Sequence, residues 1–114
     1  MIDIVDHVVK TLDSLKIPVM FNTVPTGSDI PEQYITFLEI NAKPALEASD
    51  KEYETERLIQ INVWSEDNYY QLVEDIKQLM ESAGYERTIE YDAPQQEGDS
   101  HFNKVLRFVF FDEY

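Results

Sequence analysis

The segment RLIQINVWSEDNYYQLVEDIKQLMESAGY, residues 57–85, changes its hydrophobic period once, and this change restricts the fold more than any other feature of the chain. Up to Trp64 the apolar residues occupy every second position, whereas after Ser65 they recur at every third or fourth position. Alternation is typical of a strand with one buried face, and the longer period is typical of an amphipathic helix. The segment therefore predicts a strand that leads directly into a helix.

The signals at both ends of this helix are local. Ser65 is a favourable N-cap, and Glu66 and Asp67 fall in the predicted first turn, where the helix dipole favours negative charge. Gly84 can adopt the left-handed conformation that ends many helices. Between these ends one face is apolar, and it consists of Tyr69, Leu72, Val73, Ile76, Leu79, Met80 and Ala83.

The rest of the chain contains one further helix and four further strands. An i, i+3, i+4, i+7 apolar pattern predicts a helix over residues 4–15, capped by Asp3 and ending before Pro18. The predicted strands cover residues 17–24, 34–41, 53–64, 85–92 and 101–111. Loops are expected at residues 25–33 and 93–100, and a hairpin arm at residues 42–52.

The element order α-β-β-β-α-β-β, without repeats or linkers, predicts a single domain over residues 1–114. One apolar row per strand, such as Ile59, Ile61 and Val63, favours an antiparallel sheet with one covered face. Strict alternation in the fourth strand puts Arg87 and Ile89 on the same face. We expect an α+β two-layer sandwich with a mainly antiparallel sheet of four to five strands, antiparallel neighbours throughout and both helices on one face.

Charge restricts the function. The chain carries 23 acids against 9 Lys and Arg, a net charge of −14. Holding a phosphate backbone requires clustered Lys and Arg, so this balance argues against nucleic-acid binding. Solubility alone can account for the charge, and a surface that repels or imitates DNA is the sharper interpretation.

No reactive centre is recognisable. Cysteine is absent, which excludes disulfides, thiolate zinc sites and thiol nucleophiles, and the three glycines form neither a phosphate loop nor a nucleophile elbow. His7 and His101 are expected at the surface, without metal-ligand spacing. We therefore predict no catalytic, metal or cofactor site. Apolar runs are too short for a membrane span, and the acidic N-terminus predicts a cytosolic start rather than a secretory signal.

The second face of the sheet is the remaining signal. Trp64 points away from the apolar row of its strand, and Val105, Arg107 and Val109 alternate with the apolar row of the last strand. Phe111 continues the same series. Two helices on one side cannot cover both faces of a sheet. We therefore expect these five residues to form a subunit interface with another copy of the chain.

Three segments together carry a family resemblance: VPTGSDIPEQYITF, the strand-to-helix segment 57–85, and KVLRFVFF in the last strand. With them, the chain resembles the tail terminator or tail-to-head joining proteins of long-tailed bacteriophages and prophages. The resemblance covers nearly the entire chain, and its motifs are structural rather than catalytic.

The resemblance implies a structural virion protein, assembled in the host cytoplasm, that is not an enzyme. Copies would form a hexameric ring that caps the tail tube and joins it to the head connector, so that tail tube protein and head-completion protein are the partners. DNA would pass through the channel without specific binding. Charged residues of the predicted loops would then face the lumen or a partner, and the candidates are Glu47, Asp50, Lys51, Glu52, Asp92, Glu97 and Asp99.

Two other interpretations fit the same sequence. An acidic inhibitor that imitates DNA would use the same net charge, although much of the acid here falls in predicted loops rather than on a long rigid surface. Another head–tail completion or minor tail protein of similar fold would share the element order. A hexameric mass indicates a ring, whereas a DNA mimic stays small and competes with DNA for an enzyme.

Overall fold

The computed structural model describes residues 3–27, 29–44 and 54–113. Its elements are, in chain order, α1 (Ile4–Leu12), a 3-10 turn (Asp13–Leu15), β1 (Val19–Phe21), β2 (Gln33–Pro44), β3 (Glu54–Ser65), α2 (Tyr70–Ser82), β4 (Glu86–Ala93) and β5 (Phe102–Glu113). The α+β class and the order α-β-β-β-α-β-β, predicted from the sequence, are confirmed.

The five strands form one sheet in the order β1-β2-β3-β5-β4. Three neighbouring pairs are antiparallel, but β1 runs parallel to β2. The expectation of antiparallel neighbours throughout is wrong at this edge. A parallel pair needs a connection that returns the chain to the same end of the sheet, so residues 22–32 are a crossover rather than a hairpin.

Both ends of α1 follow from its sequence. The Asp3 side chain accepts a hydrogen bond from the backbone N–H of Asp6 at 3.2 Å, which caps the first turn. After the 3-10 turn, Lys16 takes a left-handed conformation with φ 62° and the chain leaves the helix before Pro18. The predicted start and end of this helix agree with these positions to within a residue or two.

The start of α2 differs from the prediction. Ser65 is the last residue of β3, and its Oγ accepts from the backbone N–H of Asp67 at 3.2 Å. Asn68 Oδ1 accepts from the N–H of Tyr70, where the helix begins. Ser65 therefore caps a turn before the helix, and the first turn of α2 contains no acid.

The end of α2 is as predicted. Gly84 has φ 100°, its N–H donates to the Glu81 carbonyl at 3.1 Å, and the Tyr85 N–H donates to the Met80 carbonyl at 3.0 Å. This pair of bonds is a Schellman motif. Within the described ranges neither helix has the length and hydrophobicity that crossing a bilayer would require.

Both helices pack on one face of the sheet, as predicted. They share one core with the central strands, in which each contributing side chain is 4% exposed or less. The helices contribute Ile4, Val8, Leu12, Val73, Ile76 and Met80, and the strands contribute Ile35, Phe37, Ile59, Ile61, Val63, Leu106 and Phe108. Burying a large aliphatic side chain contributes about 1.5–3 kcal/mol, so this layer dominates the stability of the fold.

Two bulges interrupt the alternation along the strands. One lies between Glu39 and Asn41 in β2 and the other between Arg87 and Ile89 in β4. Arg87 pairs with the helix-facing Phe108, whereas Ile89 pairs with Arg107 on the opposite face. The prediction that Arg87 and Ile89 share a face is therefore wrong, because a bulge inserts one unpaired residue and inverts the pattern beyond it.

Candidate subunit interface

The sheet face that points away from the helices, the second face, can be mapped from the strand register. Residues directly opposite each other in antiparallel strands share a face. The rows across this face are Tyr34–Trp64–Asn103–Ala93, Thr36–Asn62–Val105–Tyr91, Leu38–Gln60–Arg107–Ile89, Leu58–Val109–Glu86 and Glu56–Phe111. All five residues of the expected interface, Trp64, Val105, Arg107, Val109 and Phe111, lie in these rows.

The first two rows form the covered half of the second face. Tyr34 is 4% exposed, and its ring stacks on Trp64 with centroids 5.8 Å apart. The Trp64 indole N–H donates to Thr36 Oγ1 at 3.0 Å. His101, 8% exposed, lies edge-on against Tyr34 and hydrogen-bonds through Nε2 to the Pro31 carbonyl at 2.8 Å. The chain itself therefore covers this half except at its β4 end, where Tyr91 is 44% exposed.

Two loops, residues 22–32 and 93–101, approach each other over this half. Between them lies an open groove of about 330 Å³, with Trp64 and Tyr34 among its lining residues. Val105, in the adjacent row, is 3% exposed. Trp64 and Val105, two of the expected interface residues, thus already have partners or cover within the monomer.

The other three rows form the open half. Ile89 is 45% exposed and Phe111 is 43% exposed. Leu38 and Leu58 are half-buried. Val109, which lies between Leu58 and β4, is 6% exposed. Large apolar side chains on four neighbouring strands are therefore in contact with solvent, which marks this half as a place where another protein surface can bind.

A polar ladder crosses the second face. Arg107 Nε donates to Gln60 Oε1 at 3.0 Å, Gln60 Nε2 donates to Asn62 Oδ1 at 3.0 Å, and Asn62 Nδ2 donates to Asn103 Oδ1 at 3.2 Å. Gln60 and Asn62 each bond through both the oxygen and the nitrogen of their amides, whereas Arg107 enters the ladder through Nε alone. A partner that covers the ladder therefore has to supply acceptors for the Arg107 Nη groups. The ladder is compatible with an interface.

The strand edges are less suited to association than the second face. Beyond Phe37 the edge of β2 is free, carries the bulge near Ile40 and ends at Pro44. The free edge of β4 carries the bulge between Arg87 and Ile89, with the charged pair Glu86 and Arg87 next to it. Bulges, prolines and charges at an edge discourage the addition of another strand. Self-association is therefore expected through the face rather than through the edges.

On the helix side, three cations of α2, β4 and β5 are held by acids. Lys77 Nζ lies 2.8 Å from Glu90 Oε1, Lys104 Nζ lies 3.5 Å from Glu90 Oε2, and Arg87 also pairs with Glu90. The Lys77 hydrogen bond, together with the neighbouring positive charges, lowers the pKa of Glu90. Cations neutralised in this way offer little to a phosphate backbone.

The expected lumen-facing residues do not form one site in the described chain. Glu47, Asp50, Lys51 and Glu52 lie outside the described residues. Asp92 lies on the helix side, where it accepts a hydrogen bond from the Tyr69 hydroxyl, and this bond raises the pKa of Tyr69 to about 12. Glu97 and Asp99 are exposed in the loop before β5, and Asp99 Oδ2 accepts from the Gln96 N–H at 2.8 Å.

Both histidines are less exposed than the sequence predicts. His101 is buried by the contact between the two loops. His7 is half-buried, and its Nδ1 shares a hydrogen bond with the Tyr85 hydroxyl at 2.8 Å. The helical pattern misplaces His7 because it lies at the flank of the apolar stripe, where Tyr85 and Phe110 pack against it. No three His, Asp or Glu side chains converge as metal ligands in the part of the chain that the structure describes.

Sequence reasoning missed part of the open half. Ile89 moves to this face through the β4 bulge, and no local signal marks that bulge. The alternation of β2 does place Leu38 on this face, but the sequence does not show that it stays partly exposed.

Comparison of the sequence with protein-family models gives no match, and comparison with curated proteins gives none either. The resemblance to phage tail terminators therefore stays a prediction that rests on the residues quoted for it.

Proposed function

We propose that this chain is a structural subunit of a homo-oligomeric ring in a bacteriophage tail, the terminator that caps the tail tube and joins it to the head connector. The observation that carries this proposal is the open half of the second face, where Leu38, Leu58, Ile89 and Phe111 leave apolar surface in contact with solvent beside the polar ladder. A second copy of the chain is the proposed occupant.

The family resemblance supports the remaining parts of the proposal. A ring arises when a surface of each copy contacts a different surface of the next copy and the rotation closes. The resemblance suggests six copies, with tail tube protein on one side and head-completion protein on the other. The protein would be part of the virion tail after assembly in the host cytoplasm.

The charge of the chain suits a channel through which DNA passes. With a net charge of −14, a ring of these subunits repels phosphate rather than retaining it. The pairing of Lys77, Arg87 and Lys104 with carboxylates supports the same conclusion, since paired cations release few counterions from DNA. DNA is thus a passing cargo in this proposal and not a ligand.

Native mass spectrometry and sedimentation of the purified protein, alone and with tail tubes, test the proposal. The wild type should give a hexameric mass. Phe111→Asp puts a charge on the open half. The protein should stay folded, but the protein concentration needed for assembly should rise about tenfold or more, since burying an unpaired charge costs several kcal/mol. Val9→Asp is the matched control, because Val9 is 37% exposed on α1, away from the second face.

Two outcomes would reject the ring. A wild type that stays monomeric at tens of micromolar, both alone and with tail tubes, contradicts self-association. A monomer that displaces DNA from an enzyme supports the acidic mimic instead. If Val9→Asp and Phe111→Asp impair assembly equally, the open half is not the interface.

A further inference from the structure

The sheet narrows to three strands at one end. β1 pairs with β2 only up to Phe37, and β4 pairs with β5 only as far as Val109. Beyond these points residues 42–44 of β2, 54–57 of β3 and 110–113 of β5 pair among themselves, with β3 in the centre. We call this part the three-stranded extension, and it contributes to the elongated shape of 51 × 28 × 25 Å.

An ionic cluster lies at the base of this extension, on the helix side. The Arg57 guanidinium donates to both carboxylate oxygens of Glu39, through Nη2 at 3.0 Å and through Nε, and its Nη1 donates to Asp112 Oδ2 at 3.0 Å. The three side chains are 10%, 23% and 4% exposed for Arg57, Glu39 and Asp112. One planar group thus joins β2, β3 and β5.

A buried tyrosine packs against Phe110, the β5 residue that pairs with Arg57. Tyr85 is 2% exposed, packs against the Phe110 ring at 4.8 Å and shares the hydrogen bond with His7 of α1. Burial raises the pKa of Tyr85, and the charges of Glu39 and Asp112 act in the same direction while Arg57 opposes them. Tyr85 thus joins α1 to Phe110, the residue that pairs with Arg57 across the sheet.

Such a cluster is better suited to fixing geometry than to adding stability. Removing ions from water costs about as much as their attraction returns, so apolar side chains of similar volume often stabilise a protein as well or better. A bidentate guanidinium–carboxylate pair, in contrast, permits few relative orientations. Strands joined only by their backbone ladder can twist and bend over a wide range.

We propose that Arg57, with Glu39 and Asp112, is the positioning device that sets the direction of the three-stranded extension relative to the helix-covered core. This goes beyond the ring proposal, and only its consequence for assembly rests on it: an extension held in one direction presents the same surface in every copy. Arg57 is then a residue required for uniform shape rather than for folding.

Amide hydrogen exchange of the whole protein tests the proposal. Arg57→Lys keeps the charge but loses the planar fork. We expect amides at 54–57 and 110–113 to exchange about tenfold faster, while amides at 59–63 and 106–108 keep wild-type rates. Arg107→Lys is the matched control, since Arg107 contacts Gln60 on the second face, and it should leave the extension unchanged.

A second pair of variants separates geometry from charge. Asp112→Asn keeps the Arg57–Glu39 pair and should accelerate exchange mainly at 110–113. The triple variant Glu39→Leu, Arg57→Met, Asp112→Leu removes all three charges together and should keep the wild-type unfolding midpoint while the extension exchanges faster. If the triple variant does not fold, Arg57→Lys and Asp112→Asn still decide the question.

Two results would overturn the proposal. In the first, the amides of the three-stranded extension exchange at wild-type rates in both Arg57→Lys and the triple variant. This would show that packing alone sets the direction of the extension. The other is a uniform acceleration that includes residues 59–63, which would make Arg57 an ordinary contributor to global stability. Native mass spectrometry of Arg57→Lys, Asp112→Asn and the triple variant measures the consequence for assembly. If the wild type forms no ring, the ring proposal fails while the exchange result still stands.

Discussion

Glu90 shows how a single residue organises the charges on the helix side of β4. Its carboxylate pairs with Lys77 and Lys104, whose side chains are 16% and 15% exposed, and with Arg87. The pKa of Glu90 is lowered, so its ionised form is favoured in the folded state. Its contribution is therefore fully present above the ordinary glutamate pKa and is lost as the pH falls through the lowered value.

Glu90→Gln should lower the free energy of unfolding at pH 7 by about 1 kcal/mol, the range of a partly exposed ion pair in a network. The difference from wild type should shrink as the pH falls from the ordinary glutamate pKa through the lowered pKa of Glu90, because the wild-type carboxylate then becomes neutral like the amide of the variant. Urea unfolding at several pH values measures both effects.

The control for this experiment is Glu74→Gln. Among the described residues Glu74 pairs with Lys77 alone, at 3.4 Å, and its side chain is 41% exposed, so the effect should be much smaller. A Glu90→Gln deficit that stays constant between pH 7 and pH 3 would contradict the electrostatic explanation.

Tyr69 behaves in the opposite direction. Its hydrogen bond to Asp92 raises the tyrosine pKa to about 12, so the protonated form is favoured by folding. The contribution of this bond is present at neutral pH and is lost only as the pH rises from about 10 toward 12. The Glu90 ion pairs are therefore lost toward acid pH, and the Tyr69–Asp92 hydrogen bond is lost toward alkaline pH.

At the scale of elements, the two ends of α2 differ in how local their signals are. Gly84 ends the helix because its φ of 100° suits glycine and permits both bonds of the Schellman motif. Ser65 is equally favourable as a cap, but its hydroxyl caps the turn that β3 enters. A capping residue can serve a turn or a helix, and the pairing of β3 with β2 and β5 through Ser65 decides between them.

Gly84→Ala should destabilise the fold by about 1–2 kcal/mol, because a Cβ is strained in the left-handed region. The added methyl group would also lie 3.4 Å from the Phe110 ring. Thermal unfolding of the variant measures the loss.

Gly98→Ala is the matched control for Gly84→Ala. Gly98 has φ 92°, so alanine is strained there as well, but nothing lies within 4 Å of the added Cβ and the loop is exposed. We therefore expect a smaller loss than at Gly84. An equal loss in both variants would show that backbone strain alone, and not the helix end, explains the effect.

At the scale of the whole molecule, the sheet is covered unequally. The helices bury one face, the loops 22–32 and 93–101 cover half of the second face, and the open half remains exposed. Of the five expected interface residues, this division leaves Arg107 and Phe111 accessible to a partner, since Val109 is only 6% exposed. The acidic loop before β5, which contains Glu97 and Asp99, lies at the opposite end of the sheet from Phe111.

The loop double variant Glu97→Lys, Asp99→Lys should keep the fold, because both side chains are exposed. We expect the unfolding free energy to change by less than about 0.5 kcal/mol, in addition to the loss of the hydrogen bond that Asp99 Oδ2 accepts from the Gln96 N–H. If the loop faces the channel or a neighbouring ring, particle yield or infectivity should fall. Normal yield and infectivity would exclude a role for this loop in assembly or DNA passage.

The sequence by itself determined what depends on neighbours along the chain. The apolar period placed α2 and the row Ile59, Ile61 and Val63, and local chemistry placed the Asp3 cap and the Gly84 helix end. From the period and the element order also followed the α+β class and the position of both helices on one face. These features are readable because each is set by residues within a turn or a strand of one another.

Tertiary structure alone decided what depends on residues far apart in the chain. The parallel pairing of β1, the two bulges, the loops over Trp64 and the junction of Glu39, Arg57 and Asp112 each require strands to be in register first. A carboxylate at position 39 or 112 has no local pattern that links it to an arginine at 57. Which half of the second face stays open is fixed in the same way, by contacts that exist only after the chain has folded.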